Sequence, residues 1–306
     1  MPKVDISKPD KVIVEHGGAL LEVYYYGATI TKWQLDGKDI LFTSSKAILD
    51  GSKAIRGGIP LVFPQFGSKP DGYPNALPQH GFARVSRWDW VGVTVLNTTE
   101  TTIAFSLKPD AIPKSHRDKW GFGEFTSHTI SKSFLNLVSK DFKLIYSVTL
   151  MGSSLKTSLT VKNIGNTPFP FETLLHTYIR IDDVDKVRVS GLTGYPYVDK
   201  VAIAPNGNPL RVDEEENVFV TITQEVDRVY ERVKNDHLTV SNVVIHKNGF
   251  NDVVVWNPWI DRAKALADFA DDEYKQMICV EVGNVQNPIV LAPGDEWKGS
   301  QVLTAI

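Results

Sequence analysis

The feature that most constrains this chain is a rhythm of short segments in which β-branched or aromatic residues alternate with polar ones, each closed by turn residues. Such segments run over Lys11 to Val14, Leu21 to Tyr26, Thr102 to Leu107, Leu144 to Leu150, Leu155 to Val161 and Val243 to His246. Between them fall Gly17-Gly18, Asp36-Gly37, Asn163-Ile164-Gly165 and Asn248-Gly249, spaced for hairpins and antiparallel meanders. Helical signals are few and short, around Ser115 to Trp120 and Ile260 to Leu266. Strands do not alternate with helices, so a doubly wound parallel sheet is disfavoured. The pattern predicts an all-β fold, a large antiparallel β-sandwich with a few short helices. No Gly/Ser linker, low-complexity tract or internal repeat marks a boundary, and β-sandwiches of this size occur as single units, so residues 1–306 read as one domain.

Charge and composition narrow the function. A formal net charge of -3 leaves no global basic field to hold nucleic acid or an anionic membrane, so any anion site must be local. No stretch approaches the roughly 18 apolar residues of a membrane span, and MPKVDISKPD lacks the apolar run of a secretory signal. The single cysteine, Cys279, cannot form an internal disulfide. A cytoplasmic, monomeric protein is expected, and Asn97-Thr98-Thr99 is then a chance match to a glycosylation acceptor.

Five segments carry chemistry. In RGGIPLVFPQFG, Arg56 to Gly67, two glycines after an arginine permit close backbone approach to whatever the guanidinium binds, and Pro60 and Pro64 stiffen the rest of the segment. An arginine there presents a fork of donors suited to phosphate or vicinal hydroxyls, or is merely a surface residue beside a turn. PQHGFAR, Pro78 to Arg84, crowds amide, imidazole and guanidinium into one loop: Gln79 and His80 suit sugar hydroxyls, and Arg84 could join Arg56 on an anion. In FETLLHTYIRI, Phe171 to Ile181, His176 interrupts a run suited to a buried strand and shares a strand face with Leu174 and Tyr178. In QMICVEVGNV, Gln276 to Val285, Glu281 comes after four apolar residues, where a carboxylate is costly to bury without pairing or use. VVVWNPW, Val253 to Trp259, reads as core, as do Tyr178 and Cys279.

Phosphate loops, dinucleotide fingerprints, nucleophile elbows and HExxH are absent. His16, His116, His128, His237 and His246 lie far apart without metal-ligand spacing, so nothing in the sequence calls for a metal or a cofactor.

Taken in order, RGGIPLVFPQFG, QHGFAR, LLHTYIRI, TQEVDRVY, VVWNPW and the QMICVE strand resemble the hexose-6-phosphate 1-epimerases of the galactose-mutarotase-like superfamily. The likeness extends from Gly27-Ala28-Thr29 to APGDEW, Ala292 to Trp297. It implies a β-supersandwich with the sugar in an open cleft, His176 and Glu281 as catalytic residues, and no cofactor. It further implies Arg56, Gln79, Arg84 and Asp199 as substrate-binding positions and His80 as a second histidine of sugar mutarotases. Beyond Glu281 the chain reads Val282-Gly283-Asn284, where many relatives differ.

The implied reaction interconverts α and β anomers of hexose 6-phosphates, glucose 6-phosphate foremost. It needs one group to take the C1 hydroxyl proton and another to protonate the ring oxygen. Glutamate and histidine, with ordinary pKa values of about 4.3 and 6.5, suit base and acid near neutrality. The expected arrangement sets them on opposite sides of the ring, with Arg56 and Arg84 on the 6-phosphate. The rival readings are a sugar-phosphate-binding module without catalysis, and a glycoside hydrolase or lyase using Asp199 with Glu281.

Overall fold

The computed structural model describes residues 1–68, 77–121 and 141–306. His128 and part of the Gly/Pro-rich stretch from Arg56 to Arg87 therefore lie outside the described residues. Each alternating segment becomes a strand, and two of the turn signals close hairpins: Gly17-Gly18 joins Lys11–His16 to Ala19–Tyr24, and Asp36-Gly37 joins Ile30–Leu35 to Lys38–Asp39, whereas Asn163-Ile164-Gly165 and Asn248-Gly249 carry the chain from one large sheet to the other. The two helical signals become Lys114–Gly121 and Trp259–Ala265.

Among the described residues the strands form three antiparallel sheets. Residues 3–39 make a five-stranded meander. One large sheet runs, edge to edge, Val189–Ser190, His237–Val240, Val243–Asn248, Glu296–Ala305, Ser154–Asn163, Phe142–Met151, Thr101–Leu107 and Asp89–Leu96. The other runs Pro209–Val212, Tyr197–Ile203, Val226–Tyr230, Asp252–Asn257, Met277–Leu291, Phe169–Leu175 and Leu61–Val62, with Tyr178–Arg180 also paired to Met277–Leu291. The expected all-β architecture is what forms.

The two large sheets bury their inner faces against each other, as the alternation requires. Aromatic rings meet in this interior, Phe171 with Trp297 at 5.7 Å and Phe63 with Phe142 at 5.4 Å between centroids. A buried hydrogen bond crosses it, from Gln301 Nε2 to Thr177 Oγ1 at 2.9 Å. On the second large sheet Val253, Val255, Val280, Val282 and Leu175 face this core. Val62, Leu174, Val229 and Val254 form a separate apolar patch with Phe66 and Trp256 on the opposite face. That opposite face is the floor of the cleft.

Gly57 and Gly58 serve a different purpose from the one the sequence suggests. They approach the chain's own backbone rather than a ligand: at φ +66 a Cβ on Gly58 would stand 1.8 Å from the Ile30 carbonyl oxygen, and at φ +127 one on Gly57 would stand 2.4 Å from Thr43 Cα. The segment thereby wedges between the five-stranded meander and the strand bearing His176. Gly58→Ala combines a backbone clash with a left-handed conformation and should cost about 3 kcal/mol or more. Gly37, at φ +80 with nothing within 4 Å of its would-be Cβ, isolates the conformational part, so Gly37→Ala should cost only about 1 kcal/mol. Urea midpoints of the two variants check the difference.

Candidate active site

His176 owes its position to a break in a β-ladder. Phe169–Leu175 and Tyr178–Arg180 both pair with Met277–Leu291, but His176 and Thr177 between them leave the regular ladder. The lost hydrogen bonds are replaced from the other side: His176 N donates to Pro60 O at 3.0 Å and Tyr178 N to Gly58 O at 2.9 Å. Thr177 turns into the core, and His176 points into the cleft. Its ring stacks on Tyr178 at 4.7 Å and 10° and meets the edges of Trp256 at 6.1 Å and His80 at 5.7 Å. Three aromatic neighbours thus leave the imidazole little freedom to rotate.

Glu281 lies directly across the ladder from Val254, and period-2 alternation puts it on the cleft face while Val280 and Val282 face the core. Its side chain is 2% exposed, and its Oε1 stands 3.3 Å from His176 Nδ1, out of line for a hydrogen bond. Among the described residues neither that Nδ1 nor Glu281 Oε2 has a hydrogen-bond partner. Burial, reinforced by the nearby Asp227 charge, pushes the Glu281 carboxyl well above the usual carboxylate range. Burial and the Arg84 and Arg56 charges push His176 well below the usual imidazole range. Such displaced titrations in a cleft are characteristic of proton-transfer sites.

The cations are placed by the two loops the sequence singles out. Phe82, fully buried against Phe63, Phe142 and Trp120, anchors the QHGFAR loop and sets His80 and Arg84 on either side of itself. Arg84 donates from Nη2 to Gln79 O at 2.9 Å, while its Nε has no partner among the described residues. Burial lowers this guanidinium to about 10, and the charge of Arg56 adds to the effect. Arg56 is bound to Asp268 Oδ1 at 3.1 Å and approaches Tyr178 Oη at 3.4 Å; these partners outweigh burial and hold it above its ordinary value. The two guanidiniums are close enough for the charge of Arg56 to disfavour that of Arg84, which concentrates positive charge at this side of the cleft. His80 is also buried, accepts from Gly67 N at 3.2 Å through Nδ1, and is held well below the usual imidazole range by burial and then by Arg84.

The resulting cleft has a volume of about 340 Å3, and Arg56, Gln79, His80, His176 and Glu281 line it. Arg84 stands just behind the lining. Asp199 is elsewhere: its Oδ1 accepts the backbone N–H groups of Val201 and Ala202, and its Oδ2 accepts Arg228 Nε at 3.2 Å. The next residue on that strand, Lys200, does line the cleft and pairs with Asp227 Oδ2 at 3.5 Å. The aspartate that lines the cleft, alongside Glu225 and Glu281, is therefore Asp227, from the TQEVDRVY segment, and burial raises its carboxyl. Its signal in the sequence is an aspartate alternating with Val226 and Arg228 along a strand. Trp256 likewise lines the cleft, whereas Trp259 packs on Tyr274 at 5.3 Å as core. Glu225 and Arg262 complete the far wall, and no sequence pattern points to them.

The fold is thus a large antiparallel β-sandwich with an imidazole, a buried carboxyl and cations gathered at one open cleft. The sequence model of the aldose 1-epimerase family matches residues 10–116 and 133–304. Among curated proteins, one from Cenchrus ciliaris named "Putative glucose-6-phosphate 1-epimerase" is 36% identical over 93% of this chain and 81% of its own length. Among solved structures, a "putative mutarotase" from Salmonella typhimurium superposes with a TM-score of 0.75 at 22% identity, covering 97% of this chain and 91% of that one. Galactose 1-epimerase from Lactobacillus acidophilus superposes with a TM-score of 0.67 at 14% identity, over 99% and 98%. The chain belongs to the aldose 1-epimerase family, an isomerase family whose reaction is the interconversion of hexose anomers.

The raised Glu281 titration has a stability consequence of definite sign. Unfolded, the carboxyl loses its proton near about 4.3; folded, it keeps the proton to higher pH, so above that value the native state binds more protons and stability declines as pH rises through the folded-state titration. Glu281→Gln removes this decline. The variant should be more stable than wild type at pH 8, with the advantage shrinking as pH falls toward 4, in urea midpoints measured across that range.

Proposed function

We propose that this protein interconverts the α and β anomers of hexose 6-phosphates, glucose 6-phosphate foremost, with Glu281 as base and His176 as acid. The observation that carries the reading is the 3.3 Å separation of imidazole and buried carboxylate on the cleft floor, beside two arginines. The two groups do not flank the ring from opposite sides as expected from the sequence: at 3.3 Å they stand side by side, which also serves the reaction. The oxygens that exchange protons, O1 and O5, are both bonded to C1, so their partners must also be neighbours.

In the forward step Glu281 takes the O1 proton as the C1–O5 bond breaks, and His176 delivers a proton to O5. The open aldehyde rotates about C1–C2, and reclosure reverses both transfers. Burial raises the proton affinity of Glu281, which makes it the stronger base once it is ionised. The 6-phosphate lies against Arg56, which lines the cleft, with the charge of Arg84 behind it, and this attraction fixes the ring over the pair. The same contacts tune the acid. Burial holds His176 down, and the Arg84, Arg56 and Lys200 charges add to it, so a bound phosphate offsets the charge contribution and favours the imidazolium. The name of the Cenchrus ciliaris relative supports the phosphorylated substrate.

Glu281→Gln and His176→Asn should each slow anomer exchange of glucose 6-phosphate by about 10²- to 10⁴-fold, as read by magnetisation-exchange NMR. Retention of wild-type exchange in either would remove that residue from the mechanism. Arg84→Ala should depress exchange of glucose 6-phosphate far more than that of free glucose. Equal loss on both sugars would place the phosphate elsewhere.

A further inference from the structure

The histidines lack metal-ligand spacing in the sequence, yet folding brings two of them into direct register. His237 and His246 are partners on the antiparallel strands His237–Val240 and Val243–Asn248, and their rings stand 4.5 Å apart. Asp236 reaches both. Its Oδ1 lies 2.8 Å from His237 Nδ1 and its Oδ2 3.5 Å from His246 Nδ1, and one donor atom from each of the three residues falls within 4.8 Å of the others.

The backbone holds this cluster in place. Lys247 N donates to Asp236 O at 2.9 Å, His237 N donates to Asn235 Oδ1 at 3.1 Å, and Asn235 Nδ2 donates to Gly191 O at 3.1 Å. His246 Nδ1 is shielded from solvent and has no hydrogen-bond partner among the described residues, while the three side chains as wholes are 44–64% exposed. An ion can therefore enter without unfolding anything, and water can complete its shell. None of the three residues lines the sugar cleft, and their strands belong to the other large sheet.

We propose that Asp236, His237 and His246 form a surface site for one divalent transition-metal ion of the zinc, nickel and copper class. Two imidazoles and one carboxylate suit these borderline ions, whereas magnesium and calcium take oxygen shells. In a tetrahedral site with ligand bonds of about 2.0 to 2.2 Å, donor atoms stand about 3.3 Å apart. The two carboxylate-to-imidazole spacings straddle that value, so small side-chain rotations complete the geometry. The ion would displace protons now shared with Asp236 and tie the hairpin at its Asp236–His237 end.

A second cluster, His176, Cys279 and Glu281, also has donors within 4.8 Å. There the imidazole is packed among aromatic rings, and burial pushes the wholly buried Cys279 thiol well above its ordinary range. That cluster offers a metal no ready thiolate.

The test is titration of the full chain at neutral pH with Zn2+, monitored by thermal unfolding, and with Co2+, monitored by visible absorption. One saturable equivalent should raise the unfolding temperature and give a nitrogen- and oxygen-ligated Co2+ spectrum. His246→Ala should weaken binding by about tenfold or more, and His237→Gln, an independent exposed variant, should do the same; both should retain wild-type anomer exchange. Absence of saturable binding, or binding unchanged in both variants, overturns the proposal. So does a Co2+–thiolate band, or loss of exchange on adding zinc that survives His246→Ala, since either would assign the ion to the cleft.

Discussion

The cleft depends on one contact, the 3.3 Å approach of the Glu281 carboxyl to the His176 imidazole beside a floor patch of valine, leucine and aromatic rings. Nothing in that apolar patch solvates a charge, which is why the carboxyl titrates high and the imidazole low. The arrangement is held by backbone bonds rather than by the pair itself. The ladder gap at His176 and Thr177 is bridged by Pro60 and Gly58, and these reach it only because Gly57 and Gly58 tolerate contact with Thr43 and Ile30. A chain of tight backbone contacts thus runs from the N-terminal meander to His176.

That construction exchanges stability for proton chemistry. A buried carboxyl whose Oε2 has no hydrogen-bond partner among the described residues is a cost the fold carries at every pH where it is charged. The surrounding charges temper the cost unequally. Lys200 and Arg84 favour the ionised Glu281, and Asp227 opposes it. Asp227 therefore acts on the pair through space while itself pairing with Lys200, which lies over the Phe66 ring at 4.8 Å.

Much of this was legible residue by residue. Glu281 stands out because four apolar residues precede it, and His176 because it interrupts a buried run; both anomalies are local, and both land in the cleft. The two loops rich in Gly, Pro and Arg are equally visible. Asp199 shows the limit. It and Lys200 are adjacent on one strand and must face opposite ways, but which face is the cleft depends on which side of the sheet packs on the core. Asp227 is invisible for the same reason, as one polar residue of an ordinary alternating strand, and Trp256 reads as core because an aromatic on a cleft floor has the same apolar neighbours as one inside.

By itself, then, the sequence determined the all-β class, the hairpin positions and the chemical types gathered in its irregular segments, because period-2 alternation, turn propensity and the cost of burying charge all act over a few residues. Only the tertiary structure decided which of those groups meet. His176 and Glu281, His237 and His246, Lys200 and Asp227 are joined by strand register and sheet packing, which are set by the whole core at once and leave no local trace.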